Sequence, residues 1–191
     1  MKAITALALA GLAPTAAAQF AINLTASGTG GFVGSTITWT VSVTGSFGGI
    51  DYVQGYDFNI VGIGIGFSVT GAFQDNLSPL VGPTAGTPSG QDLLGASGGQ
   101  SSILGATVAG PIVLGTFETT IDSNAFDISF TIEDGGKLAL TDVLQIKPGS
   151  DFAPDTWNGV PTINSDRVIS PAPSSALALT LLTLGSHRRR R

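Results

Sequence analysis

Between Gln19 and Ser170 apolar and polar side chains alternate with a period of two, the spacing of a strand with one face buried. Phe20, Ile22 and Leu24 alternate with Ala21, Asn23 and Thr25. Ile37, Trp39, Val41 and Val43 alternate with Thr36, Thr38, Thr40, Ser42 and Thr44, the clearest strand of the chain, apolar on one face and hydroxylated on the other. Tyr56, Phe58 and Ile60 alternate with Asp57 and Asn59, and Phe126, Ile128, Phe130 and Ile132 with Asp127, Ser129 and Thr131. Weaker strands are predicted over Ile112–Ile121 and Leu138–Ile146. No stretch of the body shows a helical stripe. Short strands with one apolar face each predict an all-β fold, an antiparallel β-sandwich of Ig-like or jelly-roll type.

Three departures from plain alternation carry information. Gly62, Gly64 and Gly66 occupy every second position, which bares one face of the backbone for close sheet packing. No helix pattern follows them, so they are not a dinucleotide loop. Residues 71–110 are rich in Gly, Ser, Pro and Ala and predict a long, partly ordered excursion, tied to the core by Leu93, Leu94, Ile103, Leu104 and Val108. Glu133-Asp134-Gly135-Gly136-Lys137 predicts a hairpin turn. A calcium site there is the competing reading, although the run lacks the dense Asp ladder of calcium loops.

The two ends follow other rules. Lys2 precedes the uncharged apolar run Ala3–Leu12, then Pro14, then small residues at Ala16 and Ala18 before Gln19. That order is a signal peptide over residues 1–18, with signal peptidase cutting before Gln19. At the other end Pro171, Ala172 and Pro173 precede the apolar run Ala176–Ser186, then His187 and Arg188, Arg189, Arg190 and Arg191. The run predicts a short hydrophobic helix, well under the ~20 residues of a stable membrane span, with the arginines favoured on the cytoplasmic side. Residues 19–167 form the β-sandwich domain and 168–191 the tail.

Composition then removes several chemistries. The chain has no Cys, so it has neither disulfides nor thiol catalysis. Its one His lies beside the terminal arginines, which leaves the body without a Ser-His-Asp triad or a multi-His metal site. Only 11 % of residues are charged, and all 13 acids lie in the body while five of the eight bases lie at the ends. An acidic body repels nucleic acid.

The tail resembles the PEP-CTERM sorting segment of bacterial exported proteins, with Pro171 and Pro173 at the motif prolines, Ala172 where that family has Glu, and Arg188–Arg191 at the basic end. The resemblance implies transient residence in the inner membrane and processing by an exosortase-like enzyme. Within the body, Val33–Val41, Val53–Ile60 and Ile112–Glu118 resemble strands of the cohesin family, a β-sandwich relative of carbohydrate-binding modules. That resemblance implies a cohesin-like fold and names no partner.

Chemistry in the body is sparse. The carboxylates are scattered, and none pair as a glycosidase requires. Asp151 to Gly159 mixes acids and amides with Trp157, a pattern that suits either a core-capping Trp or a sugar platform. The expected role is a secreted structural or adhesive protein of the cell surface or extracellular matrix, without enzymatic activity and without a cofactor beyond a candidate calcium ion. The alternative is an extracellular module binding a polysaccharide or a protein, which an exposed aromatic strip or groove on one sheet would favour. A hydrolase comes third.

Overall fold

Strands form where the alternating apolar set can face a common interior. The computed structural model describes residues 20–45, 51–77, 83–99, 111–136, 143–148, 157–159 and 161–170, with no side chains described at 51, 52, 147, 148 and 157–159. In chain order the strands are β1 (Phe20–Ala26), β2 (Thr36–Gly45), β3 (Asp51–Ile65), β4 (Phe67–Val69), β5 (Gln74–Asp75), β6 (Thr84–Ser89), β7 (Asp92–Gly98), β8 (Ile112–Ile121), β9 (Asp127–Asp134), β10 (Leu144–Pro148), β11 (Trp157–Gly159), β12 (Thr162–Ser165) and β13 (Val168–Ile169). One sheet has six strands in the order β12-β1-β2-β8-β4, with β5 also on β8. The other has seven, β11-β10-β3-β7-β6, with β9 on β3 and β13 on β9. The fold is an all-β sandwich, and the described residues contain no helix. The signal helix and the tail helix expected from the sequence lie outside the described residues.

The core fills the space between the sheets. Ile22, Leu24, Trp39, Val41 and Phe117 from the first sheet meet Tyr56, Phe58, Ile60, Leu93 and Phe130 from the second, all buried. Phe130 reaches across and meets Trp39 and Phe117 edge-on, at ring separations of 4.9 and 5.1 Å. The Trp39 indole N–H donates to the Thr119 hydroxyl at 3.1 Å, so the largest core side chain brings its own polar group in satisfied.

The glycine row works as expected from close packing. A Cβ on Gly62 would stand 2.9 Å from the Phe67 ring, and one on Gly64 would overlap the Asp127 carbonyl. Gly64 and Gly66 also hold φ of +126° and +75°, a backbone region that favours glycine.

Three expectations need correction. First, the sandwich is not wholly antiparallel: β12 runs parallel to β1. A chain passing from β11 in one sheet to β12 in the other enters the second sheet by a crossover, which permits a parallel neighbour. Second, the ordered part of the excursion over 71–110 is a pair of strands in the second sheet, and one of its expected ties to the core fails. β6 and β7 form a hairpin that pairs with β3, burying Leu93 and Ala96. Adjacent strand residues face opposite sides, so Leu93 points inward and Leu94 outward, and a bulge at Gly95 (φ +76°), opposite Asn59, brings Ala96 inward again; of the five expected ties Leu93 holds and Leu94 does not. Ile103, Leu104 and Val108 lie outside the described residues.

Third, Glu133–Lys137 is not the turn of a hairpin. β9 and β10 both pair antiparallel with β3, β9 along Phe58–Ile65 and β10 along Asp51–Tyr56, so they follow one another along the same edge. Asp57 sits at the join, its N–H donating to the Val143 carbonyl and its carbonyl accepting from Gly135 N. The turn chemistry itself is as expected, since Gly136 is left-handed and donates its N–H to the Asp134 carboxylate at 2.8 Å. The predicted strand at Leu138–Ile146 is described only from Leu144, where β10 begins. Val168 and Ile169, grouped with the tail by the sequence pattern, pair with β9, and Val168 is buried.

Candidate functional site

The outward face of the seven-stranded sheet is built by the alternation that fills the core. Along β3 the residues facing away from the core are Asn59, Val61, Ile63 and Ile65, and along β9 they are Asp127, Ser129, Thr131 and Glu133. Leu94 emerges from β7 at the Gly95 bulge, and Ile169 flanks Asp127 from β13. Ile63, Ile65, Leu94 and Ile169 are between 43 % and 60 % exposed, four of the six large apolar side chains exposed among the described residues. The other two, Phe32 and Val33, lie on the connection between β1 and β2.

Two polar groups on this face tie its strands together. Asn59 accepts from Gly95 N–H at 2.7 Å and donates to the Asp134 carbonyl at 3.0 Å, which ties β7 and β9 across β3. Arg167 grips Asp127 through two bonds, of 2.8 and 2.5 Å, and the guanidinium holds that carboxyl below the usual carboxylate range. Beside these tied groups the face carries the exposed apolar side chains and Glu133.

The remaining described carboxylates are mostly structural braces. Asp92 accepts from Gly62 N–H at 2.9 Å, Asp166 from Ala26 N–H at 3.0 Å and Asp122 from the Ser68 hydroxyl at 3.2 Å. Asp75 accepts from the Tyr56 hydroxyl at 2.5 Å. Burial foremost, then the Asp75 bond, pushes the Tyr56 phenol far above its ordinary range, and burial raises the Asp75 carboxyl despite that bond. Asp57 is buried beneath Gly135, where a Cβ would strike its carboxylate. Among the described residues no three Asp, Glu or His side chains gather as a metal site would need, and Asp134 of the calcium candidate turns to its own loop. A shallow groove of about 360 Å³ between Ala26–Thr29 and Asp166–Val168 has no aromatic wall for a sugar ring.

The processing residues Ala16, Ala18, Gln19, Pro171, Ala172 and Pro173, and Arg188, Arg189, Arg190 and Arg191, all lie outside the described residues. So does the side chain of Trp157, although its backbone, in β11, pairs with Ile146 of β10. No described helix is long and apolar enough to cross a membrane. The aliphatic strip was missed at the sequence level. Its signal was the Ile63 and Ile65 pair alternating with Gly62, Gly64 and Gly66, a run with no large side chain on the opposite face of β3.

No protein-family model matches the chain, and no curated protein sequence matches it. Its fold is similar to that of the second type II cohesin module from the adaptor ScaA scaffoldin of Acetivibrio cellulolyticus, with a TM-score of 0.54 at 12 % identity over 86 % of this chain and 97 % of that one. A non-cellulosomal cohesin from the archaeon Archaeoglobus fulgidus aligns with a TM-score of 0.46 at 12 % identity, over 85 % of this chain and 98 % of that one. At such identities the likeness is one of fold, and the body of this chain is a cohesin-like β-sandwich.

Proposed function

We propose that this chain is an extracellular module that binds a protein partner through the outward face of its seven-stranded sheet. The aliphatic strip Ile63, Ile65, Leu94 and Ile169 carries the reading. Sugars stack on aromatic rings, whereas exposed aliphatics on a braced sheet suit another protein surface. The resemblance in fold to a module of an adaptor scaffoldin supports the same direction. These observations favour the binding role over the structural or adhesive role placed first from sequence, and a protein ligand over a polysaccharide.

The ends supply the delivery in this proposal. Residues 1–18 direct export and are removed by signal peptidase. The tail, with its Pro171 and Pro173 motif and its arginines, holds the protein at the inner membrane until an exosortase-like enzyme acts. In this reading the body works as a binder rather than a catalyst. Terminal peptides of the extracellular form are expected to begin at Gln19 and to lack Arg188–Arg191. Intact ends would remove the delivery scheme and leave the binding surface standing.

The binding reading is tested by pairing Ile63→Lys with Leu94→Lys. Both side chains point to solvent, so the unfolding midpoint is expected to hold. Capture of extracellular proteins on the immobilised variant should fall at least about tenfold, as when apolar anchors leave an interface. Capture equal to that of the parent protein would refute this face as the site.

A further inference from the structure

The exposed apolar side chains are unevenly placed along the sandwich. β1 ends, β2 begins, β3 ends, β4 begins, β8 ends and β9 begins at one pole, as the registers Thr36↔Thr120, Phe67↔Ile121 and Ile65↔Asp127 require. β13 runs antiparallel to β9 and so delivers the chain to this same pole, where Ser170 N–H donates to the Phe126 carbonyl at 2.8 Å. Phe32, Val33, Ile65 and Ile169 all sit there, four of the six large apolar side chains exposed among the described residues. Phe32 is 84 % exposed, the most of the six.

The Phe32–Val33 tip is held rather than loose. Ser35 N–H donates to the Phe32 carbonyl at 2.9 Å and the Ser35 hydroxyl accepts from Phe32 N–H at 3.0 Å, closing a turn with Gly34 at φ +86°. Gly34 N–H donates to the Ile121 carbonyl and Ile121 N–H to the Ser35 carbonyl, at 2.8 and 3.0 Å, which fixes the turn to the end of β8. A pinned turn presenting a phenylalanine and a valine to water costs solubility and does nothing for the core. Of the nearby charges, Asp127 is paired with Arg167, Asp166 accepts from the Ala26 backbone, and Asp122 accepts from Ser68.

What lies beyond the pole identifies the occupant. The chain leaves at Ser170, and the apolar run Ala176–Ser186 follows within a few residues. A run of that length binds lipid only marginally, and stable attachment takes a second signal. We propose that this pole is a membrane-resting face, on which the Phe32–Val33 tip dips into the interface of a lipid bilayer and supplies that signal, with Ile65 and Ile169 on the adjoining sheet face left to the partner. The proposal rests on the reading of the tail as a membrane-held segment. Tethering by the tail raises the effective concentration of the pole at the surface, so a contact too weak alone becomes sufficient.

The test uses the full chain and phosphatidylcholine vesicles carrying brominated acyl chains, with Phe32→Trp as reporter. The extra emission of the Phe32→Trp indole over the parent protein is expected to be quenched on vesicles. Phe32→Ser combined with Val33→Ser should lower vesicle partitioning about tenfold while leaving the unfolding midpoint unchanged. A parallel variant, Leu181→Asp with Leu182→Asp, separates the two ideas. Release by that variant, with no quenching of the Phe32→Trp indole on the parent tail, would overturn the resting face and spare the tail reading. Release by the Phe32 and Val33 changes but not by the Leu changes would overturn the tail reading, and with it the proposal that the pole supplies a second signal. Failure of the parent chain to bind vesicles, or a lipid-free dimer abolished by Phe32→Ser, would overturn the proposal.

Discussion

Tyr56 shows how one side chain can make the core sensitive to its surroundings. Its ring stacks on Phe58 at 5.0 Å while its hydroxyl donates to Asp75, which lies on β5 in the opposite sheet. This bond therefore ties the two layers together. Burial first, and the neighbouring carboxylate second, keep the phenol protonated in the folded state well above the ordinary value of 10.0. The unfolded chain sheds that proton at the ordinary value, so the stabilisation is complete below about pH 10 and is lost as pH rises beyond it. Urea unfolding midpoints are expected to fall steeply above that pH in the parent protein and much less in Tyr56→Phe. Equal slopes would place the alkaline sensitivity elsewhere. The apolar half of Tyr56 was legible in the alternation, but its link to Asp75 was not, because period-two spacing says which face a residue takes and not what stands 19 positions away across a sandwich.

At the scale of elements, β3 organises the second sheet. Its fifteen residues accept β7 on one edge and, in series, β10 and β9 on the other. Such an arrangement needs glycine where neighbours approach closest. Gly64→Ala combines a φ of +126° with a Cβ placed on the Asp127 carbonyl, and the expected cost is roughly 2–4 kcal/mol in denaturant unfolding. Gly90→Ala also has a positive φ, +63°, but open space around it, so about 1 kcal/mol is expected there. Equal costs would show that backbone strain alone governs both positions. The strands β1, β2 and β9 were readable because each repeats apolar residues at every second position without interruption, and β8 was fainter because Thr119 takes an inward position and the register shifts at Gly115. β6 and β7 were hidden because their Gly, Ser and Thr content imitates a loop, and the bulge at Gly95 breaks the alternation between Leu93 and Ala96. The Glu133–Gly136 run misled for a related reason: turn chemistry fixes a local bend, whereas strand pairing is decided by which edge of β3 is open.

For the whole molecule, the sheets divide the labour. The six-stranded sheet shows solvent the hydroxylated side of β2, Thr38, Thr40 and Ser42 among them, and has no large exposed aliphatic in its described strands. The seven-stranded sheet bears Ile63, Ile65, Leu94 and Ile169. The proposed binding role rests on this asymmetry, and the sequence held it only indirectly, through Ile63 and Ile65 alternating with glycines. The sandwich itself was legible as a class from alternation and from the resemblance of three short segments. The most direct measurement of the binding claim places a photo-crosslinking residue at Ile63 or, on the opposite sheet, at Thr40, in the full chain produced by its native cells. Illumination is expected to give a discrete protein adduct from position 63 and none from position 40. An adduct from position 40 alone, or none from either, would contradict the account.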